Sequence, residues 1–321
     1  IRNPEETTGL PYPFHLPIKS RFAYTVSIPS HLWLKSGSIK EDGAGINLMG
    51  FVVRAAEVVL FRQSEGSIYQ RMKDYHAGLY GEFKIVNTRK RFDRMMKDLR
   101  SKKYISIDTE AESLARINNT IIAHQYVTVN NETDVPKMWV LPFYHFDSPW
   151  RNSDIKYIKK RLRKFYEEES ASQIHVYQNA KFDIHQHISL LKLRWYAADI
   201  YDVSAGSFSL EENQKFMKLM NTRPYALEHI EGCMEYKRPA DLVIRKADRG
   251  KMATFKMIDI ARYGVIDVLT PLFIMFEQIK IAKNRGYPQF SKFVRKQIGV
   301  MLFAMTEMEH NGIQVDIEYL R

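Results

Sequence analysis

The sequence has a single cysteine, Cys233, among 321 residues. That excludes an internal disulfide and a zinc site built from several thiolates. It fits a reducing, intracellular setting, cytoplasmic in a bacterial or phage source. No apolar run approaches the roughly 18–20 residues that cross a bilayer. A basic-then-apolar leader is also missing, as are internal repeats and low-complexity tracts. Acidic charge is in deficit: 37 Asp and Glu face 48 Lys and Arg, for a net charge of +11. A field of that sign attracts polyanions, so nucleic acid rather than a membrane is the expected partner. Hydrophobic residues at 45% and charged residues at 26% are ordinary for a globular chain with a full core.

Prolines crowd the first thirty residues (Pro4, Pro11, Pro13, Pro17 and Pro29) and predict an irregular segment. Residues 1–82 read as an N-terminal extension with no assignable role. Within it GFVVRAAEVVLFR (50–62) fits helix or strand equally, and residues 64–81 fit a helix ending in glycine turns. From residue 82 the pattern sharpens. EFKIVN is a short strand, and Thr88 caps a helix with Phe92, Met95, Met96 and Leu99 on one face. YISIDTE (104–110), IIAHQYVTVN (121–130) and KMWVLPFYH (137–145) are strands of a meander. Residues 153–170 form an amphipathic helix capped by Ser153 or Asn152. Residues 173–192 are a strand leading into a helix that begins near Asn179. Two or three short helices follow over 208–236, then a basic loop (236–251). A helix over 255–284 is apolar nearly all round, and Pro271 is expected to kink or break it. Residues 289–312 form another helix, stopped at Asn311–Gly312. The expected class is α/β, a mixed sheet flanked by helices. The chain opens on Ile1 rather than Met and stops at Arg321 as a new element begins, which predicts further sequence on both sides.

The chemistry gathers at acidic residues. Asp108 and Glu110 are two apart on a strand, so both side chains leave the same face. Two like charges that close demand a lysine or arginine, a shared proton, solvent or a divalent cation. Asn179 and Asp183 are four apart at a helix start, and Tyr263 and Asp267 four apart on an apolar helix. A lone carboxylate in that apolar setting is costly unless paired or metal-bound. Taken singly, each has a plainer explanation: a salt-bridged strand end, a helix cap at Asn179, a buried aromatic at Tyr263, a buried ion pair at Asp267. Taken together, oxygen ligands from separate elements suit hard divalent cations. A pair of ions about 3.5–4 Å apart clamps both the attacking and leaving oxygens of a phosphodiester. His185 and His187, two apart on a helix, do not share a face, so packing rather than a metal is expected of them.

The order and spacing of these groups resemble the proofreading 3′→5′ exonuclease domain of family A DNA polymerases, within the DEDD exonuclease superfamily. The first motif, DTExxSL, is matched by Asp108-Thr109-Glu110-Ala111-Glu112-Ser113-Leu114. The second, NxKYD, is matched by Asn179-Ala180-Lys181-Phe182-Asp183. The third, YxxxD, is matched by Tyr263-Gly264-Val265-Ile266-Asp267, where Gly264-Val265-Ile266 departs from the small and acidic residues common inside that motif. Residues 308–321 resemble the segment that opens a polymerase thumb. The resemblance implies a ribonuclease H-like fold over residues 83–285, and a helix with the start of a thumb over 286–321. It implies Asp108, Glu110, Asp183 and Asp267 as ligands of two divalent cations, Mg²⁺ or Mn²⁺, and Tyr263 as the residue that orients the attacking water. Leu114 then lies against the terminal base and Asn179 positions the end of the strand. The implied substrate is a single-stranded DNA 3′ end, with a polymerase domain in the same chain or complex. Asp199 and Asp202 receive no role. A stand-alone RNA-trimming exonuclease and a non-catalytic docking module are the competing readings.

Overall fold

The computed structural model describes residues 11–15, 22–26, 68–113, 115, 119–210 and 249–312. The chain divides into two units, one of residues 1–73 and 211–237, the other of residues 74–210 and 238–321. In the first, β1 (Pro11–His15) pairs antiparallel with β2 (Phe22–Val26), from Pro11↔Val26 to His15↔Phe22. A strand pair therefore stands where an irregular segment was expected. Pro11 and Pro13 are compatible with it because both strands of a two-stranded ladder are edges, where a missing N–H is tolerated. The ambiguous stretch 50–62, Cys233 and residues 211–248, with the predicted short helices and most of the basic loop, lie outside the described residues. Helix α1 (Ile68–His76) ends in turns at Gly78 and Gly81, both with positive φ.

The second unit is built on a six-stranded sheet. Its strands are β3 (Lys84–Ile85), β4 (Tyr104–Ala111), β5 (Ile121–Val129), β6 (Lys137–Pro142), β7 (Ile174–Tyr177) and β8 (Asp199–Asp202). Their spatial order is β3-β6-β5-β4-β7-β8. The predicted meander β4-β5-β6 is antiparallel, and the β3–β6, β4–β7 and β7–β8 pairs are parallel.

One face is covered by three helices. Helix α2 (Arg89–Arg100) starts where Thr88 Oγ1 accepts the Arg91 N–H at 3.2 Å. Its predicted apolar face, Phe92, Met95, Met96 and Leu99, is fully buried against Ile105, Ile107 and Tyr126. Helix α3 (Asn152–Lys164) runs on into a π turn, Phe165–Glu169, and buries Ile155, Ile158 and Leu162 in the same core. Neither Ser153 nor Asn152 caps it; the cap position is Arg151, whose N–H donates to Asp154 Oδ2 at 3.1 Å. An acid three residues into the helix satisfies the start from inside. Helix α4 (Ala180–Leu191) completes this layer, and α5 (Val203–Leu210) follows β8.

The other face belongs to α6 (Met257–Asn284), after a 3₁₀ segment at Arg249–Thr254. Pro271 sits inside this helix without breaking it. A proline there removes the bond to the carbonyl four residues back and crowds that carbonyl with its ring, at a cost of about 3 kcal/mol. Burial of Val268, Leu269, Leu272 and Phe273 around it holds the helix together. The chain then runs through α7 (Phe290–Phe293), a π turn (Val294–Ile298) and α8 (Gly299–Asn311), ending at Gly312 with positive φ. Of these, α7 packs on α6, the π turn on β8, and α8 on β8 and α4. A Cβ at Gly299 would lie 2.3 Å from the Ile200 carbonyl oxygen. Arg295 and Lys296 pair with Asp199, and Glu309 pairs with Lys181 and His185. No described helix is long and apolar enough to cross a membrane.

Asp98 ties α2 to the sheet. Its carboxylate accepts Thr128 Oγ1 at 2.8 Å, Trp139 Nε1 at 3.0 Å and Lys137 Nζ at 2.8 Å. Burial works to raise its pKa, but the hydrogen bonds from Lys137, Trp139 and Thr128 hold it below the ordinary value. Its contribution is therefore complete above the unfolded-state pKa of about 4 and is lost as pH falls through the lower folded-state value. Asp98→Ala leaves two buried donors without an acceptor and costs about 2–4 kcal/mol in urea denaturation at pH 7. Lys137→Ala costs less, because the lysine is half exposed.

Candidate metal centre

Strand periodicity sends Asp108 and Glu110 from β4 toward α6, and one helical turn after Tyr263 the same helix brings in Asp267. One oxygen from each of Asp108, Glu110 and Asp267 lies within 4.8 Å of the others. Among the described residues no other group of three or more His, Cys, Asp or Glu side chains converges so closely. Glu110 is buried, while Asp108 and Asp267 are half-buried and so open to solvent. At that separation ionised carboxylates repel on the order of 3 kcal/mol per pair at an effective dielectric of about 20. The donor set is all oxygen and all anionic, which is what a hard divalent cation takes.

The approach of α6 to the sheet depends on Gly264. A Cβ there would meet Gln125 Nε2 at 2.3 Å, Cδ at 2.7 Å and Cγ at 2.9 Å, and Gln125 is the cross-strand partner of Asp108. This is why glycine stands inside the third motif. Gly264→Ala forces Gln125, fully buried, or the helix itself to move. The expected cost is about 1–3 kcal/mol of stability. Displacing Asp267 from its partners by even 1 Å lowers the turnover of any reaction the cluster supports about a hundredfold. Adding Gln125→Ala to Gly264→Ala restores the space, and recovery of activity in the double variant checks the prediction.

Asp183 arrives from the other side. The β4–β7 pairing ends at Ser106↔Val176, which leaves the far end of β4 with an open edge. Asp183 fills it: its Oδ1 accepts the Thr109 N–H at 2.8 Å and Thr109 Oγ1 at 2.7 Å. Asp183 thus binds the residue between Asp108 and Glu110, and it is not one of the three that converge. Burial pushes its pKa up to about 7, against the lowering hydrogen bonds from Thr109, and the Asp202 charge adds to the rise.

Asp202, which received no role from sequence, holds α4 in place. Its carboxylate accepts the Ala180 N–H at 2.7 Å and the Asn179 N–H at 3.3 Å at the start of α4. It also accepts the Ser204 and Ala205 N–H groups at the start of α5, at 2.8 and 3.3 Å. One buried acid so caps two helices. Burial still raises its pKa despite these four donors. Asn179 is not the side-chain cap its position predicts. It makes no cap bond, adopts the left-handed conformation that asparagine tolerates, and leaves its side chain exposed.

Tyr263 is buried one turn before Asp267. Leu114 lies outside the described residues. His185 and His187 are both buried. His185 Nε2 meets Glu309 at 3.1 Å, and the His187 ring packs on Tyr166 and His124. His185 is thus tied to a carboxylate of α8, and His187 packs among aromatic rings. Thr109 and Gln125 were invisible to sequence reasoning as site residues; the one available signal was strand alternation, which points Thr109 away from its acidic neighbours.

No protein-family model matches the sequence, nor does any curated protein. Solved structures do share its fold. A Trypanosoma brucei RNase D in complex with RNA superimposes with a TM-score of 0.51 at 11% identity, over 74% of this chain and 77% of that one. The catalytic core of Trypanosoma brucei RRP6 gives 0.50 at 11% identity, over 93% and 68%. The fold is the ribonuclease H-like α/β architecture, a mixed sheet flanked by helices, as expected from the motifs.

Proposed function

We propose that this chain is a divalent-cation-dependent 3′→5′ exonuclease of the DEDD superfamily that shortens single-stranded nucleic acid, with RNA as its first substrate class. The convergence of Asp108, Glu110 and Asp267 carries this reading. Those three carboxylates hold the cations, two of Mg²⁺ or Mn²⁺, and Asp183 completes the acidic set from the edge of β4. Cations held there would supply charge stabilisation at the phosphate and leaving oxygens and would acidify a water. The Tyr263 hydroxyl orients that water, while Leu114 and Asn179 contact the terminal nucleotide.

Two observations favour RNA trimming over proofreading. The RNase D neighbour carries RNA. The π turn and α8, which precede most of the thumb-like residues 308–321, are engaged with β8 and α4. Proofreading of DNA remains the second reading, favoured by the DTExxSL-like and NxKYD-like motifs. The test uses 5′-labelled single-stranded RNA and DNA of one sequence, each with Mg²⁺, Mn²⁺ or chelator. Stepwise loss of mononucleotides from the RNA 3′ end, blocked by chelator, is expected. Faster shortening of DNA favours the second reading, and shortening of neither contradicts both.

A further inference from the structure

At the β3 edge of the sheet a groove of about 930 Å³ opens between the first half of α2 and the start of α6. Four cations line it, Lys84, Arg91, Arg94 and Arg262, against one carboxylate, Glu82. All four are exposed. The arginines of neighbouring surfaces are paired: Arg89 with Asp154, Arg100 with Glu169, Arg161 with Asp93 and Arg163 with Glu167. Among the described residues none of the four groove cations has a carboxylate partner. Arg91 is instead fixed by neutral acceptors, the Ile85 carbonyl at 3.1 Å and Asn87 Oδ1 at 2.9 Å. That orients its guanidinium without neutralising it. Lys84 lies over the Trp139 ring at 5.2 Å, and half-buried Phe83 adds an aromatic surface. Cations with no carboxylate partner among the described residues, beside the half-buried ring of Phe83, are the makings of a single-strand site.

The groove is aligned with the carboxylates. Ile85 pairs with Val140, Val140 with Gln125 and Gln125 with Asp108, so one row of the sheet joins them. Three strand spacings make that about 14 Å. Along α6, Arg262 precedes Asp267 by five residues, about 7–8 Å of helix rise. Both routes are short enough for one strand of nucleic acid to span.

We propose that this groove binds the phosphodiester backbone of single-stranded nucleic acid, upstream of the 3′ end held by the carboxylates. The inference takes the direction of the strand from the exonuclease reading; binding itself does not depend on catalysis. The experiment measures affinity of the full chain for a labelled oligonucleotide of about twelve nucleotides, in chelator and over a range of salt. Wild type is compared with Arg94→Gln/Arg262→Gln. The variant should bind about tenfold more weakly at low salt. Its slope of log affinity against log salt should fall by about 1.4, two phosphate contacts at about 0.7 each. Its melting temperature, and its hydrolysis of a dinucleotide too short to reach the groove, should match wild type. An unchanged slope and affinity, or a wild-type chain that does not bind the oligonucleotide, overturns the proposal. The slope decides the groove whether or not the chain hydrolyses anything, while dinucleotide hydrolysis reports on the exonuclease reading separately.

Discussion

On the exonuclease reading, Asp108→Ala combined with Glu110→Ala is expected to abolish hydrolysis and leave the fold intact. The two side chains supply two of the three converging oxygens, and one remaining carboxylate at Asp267 is a poor cation site. Metal catalysis contributes several kcal/mol of transition-state stabilisation, so the rate falls about a thousandfold or more. The fold itself does not depend on a bound cation in this account, so the melting temperature in cation-free buffer is expected to stay close to wild type. Single-turnover shortening of RNA together with thermal melting measures both. Retention of most activity in the double variant sinks the assignment of the site, and collapse of the fold would show that the acids are structural.

The second large effect is acid sensitivity of the core. His124, His175 and His187 are fully buried among Tyr126, Tyr166, Tyr177 and Tyr196. Burial lowers the pKa of His175 and His187 to about 3 and that of His124 well below its usual value. These histidines are neutral when folded and protonate near pH 6.5 when unfolded. Each therefore contributes fully above about pH 6.5 and loses about 1.4 kcal/mol per pH unit below it, down to the folded-state pKa. Asp183 and Asp202, raised by burial, act in the opposite sense as pH falls. In the whole-protein curve these two sets of groups partly offset each other. The cleaner measurement is a difference. Neither nitrogen of His187 has a hydrogen-bond partner, so His187→Phe sacrifices no bond. The variant should match wild type at pH 7 and gain on it as pH falls, by about 3 kcal/mol at pH 4.5. Parallel stability curves for the two proteins would contradict the burial argument.

What sequence made legible and what it did not divide by range. Thr88, the Phe92–Leu99 face and the alternation in β4 are local signals, and the structure matches them almost residue for residue. Asp267 stood out because an acid in an apolar helix is costly, and the fold sets it half-buried beside the strand acids Asp108 and Glu110. The supports of that cluster were illegible because they act across long stretches of chain. Thr109 meets Asp183 over 74 residues. Asp202 reaches back 22 residues to Ala180. Gly264 has meaning only against Gln125. No period or motif encodes these pairs. The prolines of the first segment misled for the opposite reason: their local effect is strong, but β1 and β2 are edges and tolerate it. The groove at β3 needed the fold as well, since Arg94 and Arg262 lie far apart in sequence.

The account rests on a cation held by Asp108, Glu110 and Asp267. Calorimetric titration of Mn²⁺ into the chain and into Asp267→Asn, a near-isosteric change that keeps the helix and removes one anionic ligand, tests this most directly. Saturable Mn²⁺ binding by the wild type, lost or severely weakened in Asp267→Asn at unchanged melting temperature, is the predicted result. Equal binding by both, or none by the wild type, would contradict it.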